Sequence, residues 1–577
     1  MKMNIKNMKT VWGAWICLGL LVPTACSDMF ETDSTSVVFE SGNRLDSPND
    51  SLYSIMGILA QIQKLGDRYV LMGELRGDLM ETTVNADVDL QEISKFEVSA
   101  SNQYKMMNDY YQVINNCNYA IAHMDTTLVD YEDKVMIPEF AQIKVLRAWT
   151  YWQLALLCGE VSWIETPILD LEASLKDYPQ KNQEQLAELL IEDLKPYIGV
   201  RDLNYGSVDG LNLDKVFIPV DMLLGDLYLF LNQYANAATA YYRLIKEREL
   251  MVTSMYRNSW LDISRRGFSY FTHTSGLSYA SSEVVSSFVY SSDAKAYHPL
   301  LLRMSYNDKA FIAPAQSFVD EMSNALYVVG VEGKPTVSGY CDGDMRGQAI
   351  LAGGQVYPSA YGSMTLNNVA ATYICKFFNM DNTSVSGSDP ENEALGGLYL
   401  QRTLPLYRVS HVYLRLAEAL NRLEKPTMAF AVLKYGLNAT TLENPNRVKQ
   451  SERKGEIYTD FTEDIFADNV GTATRGRGNG IPYDNEFYII PDFNTETSTG
   501  TLEDSILFVE DCIVDEMAAE TCFEGNRFFD LLRVARHRNQ YPAYMAKKVS
   551  KRFGENAERM EQALMEEERW YMKIISV

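Results

Sequence analysis

Five histidines, His123, His273, His298, His411 and His537, are scattered through the chain, with no HExxH and no other paired-His spacing. A helical zinc site needs two imidazoles one turn apart, so nothing here supports zinc hydrolysis. No G-x-S-x-G elbow occurs, so serine hydrolase chemistry lacks its nucleophile turn. Gly476-Arg477-Gly478-Asn479-Gly480 imitates a phosphate loop but lacks the strand before it and the G-K-[ST] ending, and reads as an ordinary loop. Asn85, Asp87 and Asp89 alternate as in a calcium loop, yet Leu90 stands where Gly is needed and Phe96 where Glu is needed. That excludes an EF-hand and leaves only a looser calcium site open, so no metal and no cofactor is assigned. Glu524, Arg527, Asp530 and Arg533 follow one another at i, i+3, the spacing of a charge ladder on a helix, with Phe528, Phe529, Leu531 and Leu532 facing inward between them. Such a ladder pins a helix rather than performing catalysis. Carboxylate pairs for glycoside hydrolysis are defined by distance in the fold, and an acidic chain offers many accidental ones.

Composition narrows the partners. The chain has 577 residues and a net charge of −25, which argues against nucleic acid and against adhesion to anionic membrane surfaces. It carries 36 Tyr, a side chain whose flat face and hydroxyl suit amphipathic ligands such as sugars and peptides. At the N-terminus Lys2, Lys6 and Lys9 precede the apolar run 11–22, which is too short to span a bilayer. Pro23-Thr24-Ala25-Cys26 follows. A small residue directly before Cys at the end of such a run is the arrangement of a lipoprotein signal, although Pro23 departs from the usual Leu. The reading is a signal peptide over 1–25, lipidation of Cys26 and a tether to residue 47. Of the remaining cysteines, Cys117, Cys158, Cys341, Cys375, Cys512 and Cys522, none forms a CxxC pair. Most are expected as buried thiols, and Cys341 with Cys375 could pair in an oxidising compartment.

The elements that would position a site are mainly helices. Residues 48–65 carry an apolar stripe, Leu52, Ile55, Ile58, Leu59, Ile62 and Leu65. The polar stretch 71–99 reads as loop with little helix. Helices are expected over 103–124, after Pro138 and over 181–197, with 161–169 as an extended exit. The stretch 219–245 reads as a helical hairpin with a tetratricopeptide-like pattern: Leu224-Gly225 and Tyr228 on the first helix, Ala237 and Tyr241 on the second. Residues 409–437 repeat it, with Leu416-Ala417, Leu420, Ala429 and Leu433 in register. From about 250 to 400 the periodicity breaks into short strand-like runs, such as 283–290, and Gly/Asn/Asp turns. Helix is also expected at 315–326, 505–523 and 554–570. The fold class is mainly α: tetratricopeptide-like helical pairs, a superhelix about 100–250 and 405–440, interrupted by a long irregular insertion carrying short strands. Residues 48–577 read as one domain, closed by helices over 505–577.

Four runs together resemble a known family. Glu524-Gly525-Asn526-Arg527-Phe528-Phe529-Asp530-Leu531-Leu532-Arg533 is similar to the E-G-x-R-x-x-D-L-x-R signature of the SusD/RagB family. Tyr413-Leu414-Arg415-Leu416-Ala417-Glu418-Ala419 resembles its YLRLAEA helix, YQVINNCNY at 111–119 its I-N-x-C-N helix, and Arg147-Ala148-Trp149-Thr150-Tyr151 its R-A-x-x-Y helix. An acidic residue behind Cys26 also resembles the surface-export signal of Bacteroidetes lipoproteins. The resemblance covers nearly the whole mature chain.

It implies a non-enzymatic lipoprotein of the outer membrane, exposed at the cell surface. Such a protein binds a glycan or a peptide and delivers it to a TonB-dependent transporter of the SusC type, with the repeats facing the transporter. The family usually builds its ligand site from two segments. Here these hold Arg76, Asp78, Asn85, Asp87 and Asp89, and Trp260, Tyr290, Tyr297 and Tyr306. Trp149, Trp152 and Trp163 are expected in the scaffold core. A periplasmic tetratricopeptide adaptor and a secreted glycoside hydrolase remain as alternatives.

Overall fold

The computed structural model describes residues 48–131, 133–208, 211–253, 282–290, 310–330, most of 337–379, 399–400, 403–453, 455–477, 500–538 and 540–573, with a few isolated positions between. The signal peptide, Cys26, the tether and the Cys341–Cys375 side chains lie outside the described residues.

The chain is mainly helical. α1 (Pro48–Ile62) buries Ile55, Ile58 and Ile62 on the expected stripe and runs on through a single 3-10 turn into α2 (Gly66–Glu74). β1 (Met80–Thr82) and α3 (Val88–Ser94) follow. Residues 71–99 are thus more ordered than their polarity suggests. The reason is that Glu74, Arg76 and Asp78 are all buried, beside Leu71, Leu75 and Leu79. Hydropathy reads buried charge as surface.

The helical pairs come next. α4 (Asn108–His123) packs on α5 (Ile137–Cys158), which is buried on nearly every side and carries Trp149 and Trp152 in the core. α6 (Gln183–Leu194) starts with a full capping box from Asn182 and Gln185, and joins α5 to the hairpin of α7 (Val220–Phe230) and α8 (Tyr234–Glu247). Gly225 is where the two helices of that hairpin close. A Cβ there would lie 2.4 Å from a ring carbon of Tyr241, so only glycine lets the tyrosine settle against the helix backbone.

The insertion then leaves and returns. β2 (Val284–Val289) pairs across the sequence with the strand that ends the insertion, and β3 (Ile312–Pro314) pairs with β1. After α9 (Gln316–Asn324) come three hairpins among the described residues: β4 (Leu326–Gly330) with β5 (Val337–Asp342), the short pair Ile350–Ala352 with Gln355–Tyr357, and β6 (Tyr361–Leu366) with β7 (Val369–Ile374). β8 (Thr403–Arg408) completes the ladder with β2 and leads directly into α10 (Val409–Arg422), then α11 (Pro426–Lys434). α8 packs on α10, so the two tetratricopeptide-like hairpins stack directly although the whole insertion separates them in sequence. α12 (Leu502–Thr521) covers α10 and α11, followed by α13 (Arg527–His537), α14 (Ala543–Ser550) and α15 (Ala557–Leu564). One continuous apolar cluster runs from Ile55 to Met572. No helix among the described residues is long and apolar enough to cross a membrane.

Candidate functional site

The β1–β3 ladder sets the first expected segment against residues 312–314 of the insertion. Met80 stands opposite Pro314 and Thr82 opposite Ile312. Thr83 extends the contact, its N–H donating to Phe311 O at 2.9 Å and its hydroxyl to Ala310 O. The loop that follows therefore rides on the edge of the insertion. Val84 is 96 % exposed and Val88 69 % exposed, with Asn85 exposed between them. Asp87 caps α3 by accepting from Leu90 N–H at 2.8 Å. Asp89 accepts from the exposed Gln103 at 2.8 Å, and Met106, 62 % exposed, continues the surface. Arg68 holds this segment by donating to the Met106 and Gln103 carbonyls at 2.7 and 2.9 Å. The result is a strip of apolar and hydrogen-bonding groups whose backbone is already fixed, the combination a polar ligand with an apolar face needs.

Three other expected residues lie inside. Arg76 is 2 % exposed, with its guanidinium 4.1 Å over the Phe528 ring and, among the described residues, no acceptor for Nη1 or Nη2; burial lowers its pKa to about 10. Asp78 accepts from Arg527 Nε and Nη2 at 2.6 and 2.8 Å. Burial pushes the Asp78 carboxyl up, but the guanidinium outweighs it and holds the group below the usual carboxylate range. Tyr290 is buried, its hydroxyl donating to Gln63 O at 3.3 Å beside Gly66. Trp260, Tyr297 and Tyr306 lie outside the described residues. Val84, Val88, Gln103 and Met106 escape a sequence reading, because nothing in their spacing marks them as exposed.

The C-terminal signature does not form a ladder. Glu524 precedes α13, in a turn where Phe523 and Gly525 have φ of 67° and 96°. It reaches away from the helix to Arg408, accepting from Nε and Nη2 at 2.8 Å each, and to Lys376 at 2.5 Å. Arg527 pairs with Asp78, so of the three expected i, i+3 pairs only Asp530–Arg533 forms, at 2.7 Å; Arg533 also binds Glu418. Around Glu524 a buried charge cluster joins the insertion to the helices. Arg346 donates to Asp344, Glu516 and Glu520, while Arg475 donates to Glu283 and Glu520. Burial alone would raise the pKa of Glu524, yet Arg408, Lys376 and His411 take it to about 2. These acids are sequestered and ion-paired, an arrangement that braces the fold and presents no free acid or base to a substrate. Among the described residues no group of three or more His, Cys, Asp or Glu is placed to hold a metal.

No family model matches the chain, and no curated protein matches its sequence. Solved structures do match its shape. A SusD superfamily protein from Bacteroides thetaiotaomicron VPI-5482 superposes with a TM-score of 0.53 at 15 % identity, over 92 % of this chain and 96 % of its own. A SusD-like carbohydrate binding protein from Bacteroides fragilis NCTC 9343 gives 0.54 at 13 % identity, over 85 % and 86 %. A laminarin binding SusD-like protein gives 0.51 at 13 % identity, over 88 % and 94 %. The helical pairs, the insertion and the C-terminal helices together make the SusD-like fold.

Proposed function

We propose that this protein binds a glycan at the cell surface and passes it to a TonB-dependent transporter of the SusC type, without chemical turnover. The observation that carries the reading is the match of nearly the whole chain to SusD-like structures, two of them described as binding carbohydrate or laminarin. The strip from Val84 to Met106, seated on the insertion, is the ligand surface, with Asn85, Asp89 and Gln103 supplying hydrogen bonds. Trp260, Tyr297 and Tyr306 belong to the same proposal as its aromatic contacts. Lipidation of Cys26 with at least two acyl chains anchors the protein to the outer membrane.

The test is calorimetric titration of the mature chain with laminarin, starch, fructan and mucin glycans, alongside a peptide mixture. A glycan should bind, and Asn85→Ala with Asp89→Ala should weaken it about tenfold, ~1.4 kcal/mol. Binding of peptides alone would replace the glycan by a peptide ligand. Release of product from any glycan would mean a hydrolase.

A further inference from the structure

A cleft lies away from that strip, between the helical pairs and the C-terminal segment. Its volume is about 770 Å³, within the ~300–1,000 Å³ of small-ligand sites. We infer that it is a second saccharide site, taking an uncharged oligosaccharide, which rests on the glycan reading above.

Two tyrosines form its walls. Tyr571 lies against Gly159, where φ is 78° and a Cβ would stand 3.1 Å from the ring. Glycine there both makes the turn after α5 and lets the ring sit flat on the backbone. Tyr571 is fixed by its hydroxyl donating to Gln183 at 3.3 Å and by Met572 N–H donating to Leu157 O at 2.8 Å. Tyr111 is held through Ser162, whose N–H donates to the Tyr111 oxygen at 3.0 Å. Gln180 donates to the Ser162 hydroxyl at 2.7 Å. Rigid aromatic faces with amides between them suit the C–H faces and hydroxyls of a sugar.

Charge selects the class. Four carboxylates line the cleft, Glu160, Glu184, Glu567 and Glu568, against two cations. Arg536 pairs with Glu184 and Lys573 with Glu568, and Glu567 accepts from the Tyr541 hydroxyl at 2.6 Å, which leaves the cleft net negative. An anionic sugar would meet net repulsion, whereas neutral hydroxyls would find acceptors.

Hydrogen–deuterium exchange on the mature chain with a neutral β-1,3-gluco-hexasaccharide separates the two sites. Protection is expected at 158–162, 180–184 and 567–573 as well as at 80–106. Tyr571→Ala, and the surface change Gln180→Ala, should each abolish protection at the cleft while leaving that at 80–106. Protection confined to 80–106 overturns the second site and leaves the proposed function standing. Failure of the hexasaccharide, and of every glycan in the titration panel, to bind overturns both. Protection of the cleft by a pentalysine peptide but by no sugar overturns the ligand class.

Discussion

At the residue scale the charged interior sets the acid stability. His411 is fully enclosed: its Nδ1 accepts from Arg408 N–H at 3.0 Å, and its Nε2 stands 3.7 Å from Glu524. Burial, with the nearby Arg415, Arg408 and Lys376, depresses its pKa from 6.5 to about 3 against the pull of Glu524. In Glu418, Arg533 and His537 overcome burial and bring the carboxyl from 4.5 to about 2, as happens at Glu524. A group with a depressed folded pKa stabilises the fold above its unfolded pKa and loses that contribution as pH falls through the folded value. Stability should therefore fall below pH 6.5 through His411, and more steeply below 4.5 through the two glutamates. Glu74 acts in the other direction. Burial raises it to about 7, so its contribution is full below 4.5 and is lost as pH rises through 7. His411→Asn keeps a side-chain acceptor for Arg408 N–H and removes the titration. Urea unfolding at a series of pH values should show it less dependent on pH than wild type between 6.5 and 4.5, by on the order of 2 kcal/mol. Parallel curves would rule His411 out as the cause.

At the element scale the hairpins were legible because their spacing is local. Gly225 and Tyr241 lie one hairpin apart, and the small-then-aromatic rule follows from how closely α7 and α8 approach. Gly225→Val puts its Cβ into the Tyr241 ring and should cost about 1–3 kcal/mol, read as a lowered thermal midpoint. An unchanged midpoint would mean that the hairpin can splay freely. The helical start of the segment 71–99 was not legible, because its buried acids Glu74 and Asp78 are satisfied by residues more than 400 positions away. Arg527 answers Asp78, and the Gly525 N–H donates to Glu74 at 2.8 Å.

At the scale of the whole molecule the two ends of the described chain close on each other. Arg552 donates to the carbonyls of Gly77, Leu75 and Ser94 at 2.7, 2.8 and 2.6 Å, and to the Ser94 hydroxyl at 2.8 Å. Gly73 lies so close to Gly525 that a Cβ would stand 1.8 Å from its carbonyl oxygen. Arg552→Ala should destabilise the protein by about 3 kcal/mol, because it leaves three buried carbonyls without a donor. Differential scanning calorimetry checks this, and a midpoint within a degree of wild type would show that the closure carries little stability.

The sequence by itself determined the helical pairs, the repeat in the two hairpins and the scaffold tryptophans, and it carried the resemblance in four short runs. The helical and repeat signals are periodic and local, so the spacing of apolar and small residues suffices to read them, whereas the resemblance rests on the residue identities of the four runs. Only the tertiary structure decided which charged residues are interior. Arg76 and Asp78 look like surface groups in an R-G-D context, but the core encloses them, while a few residues later Asn85 is exposed and Asp89 half-buried. Only the fold joined residue 83 to residue 310 and dispersed the C-terminal charge run among distant partners. The physical reason is common to these cases. Apart from local pairs on one helix such as Asp530–Arg533, an ion pair is made by whatever charge the packing brings within about 3 Å, and the sequence does not mark which distant charge that is.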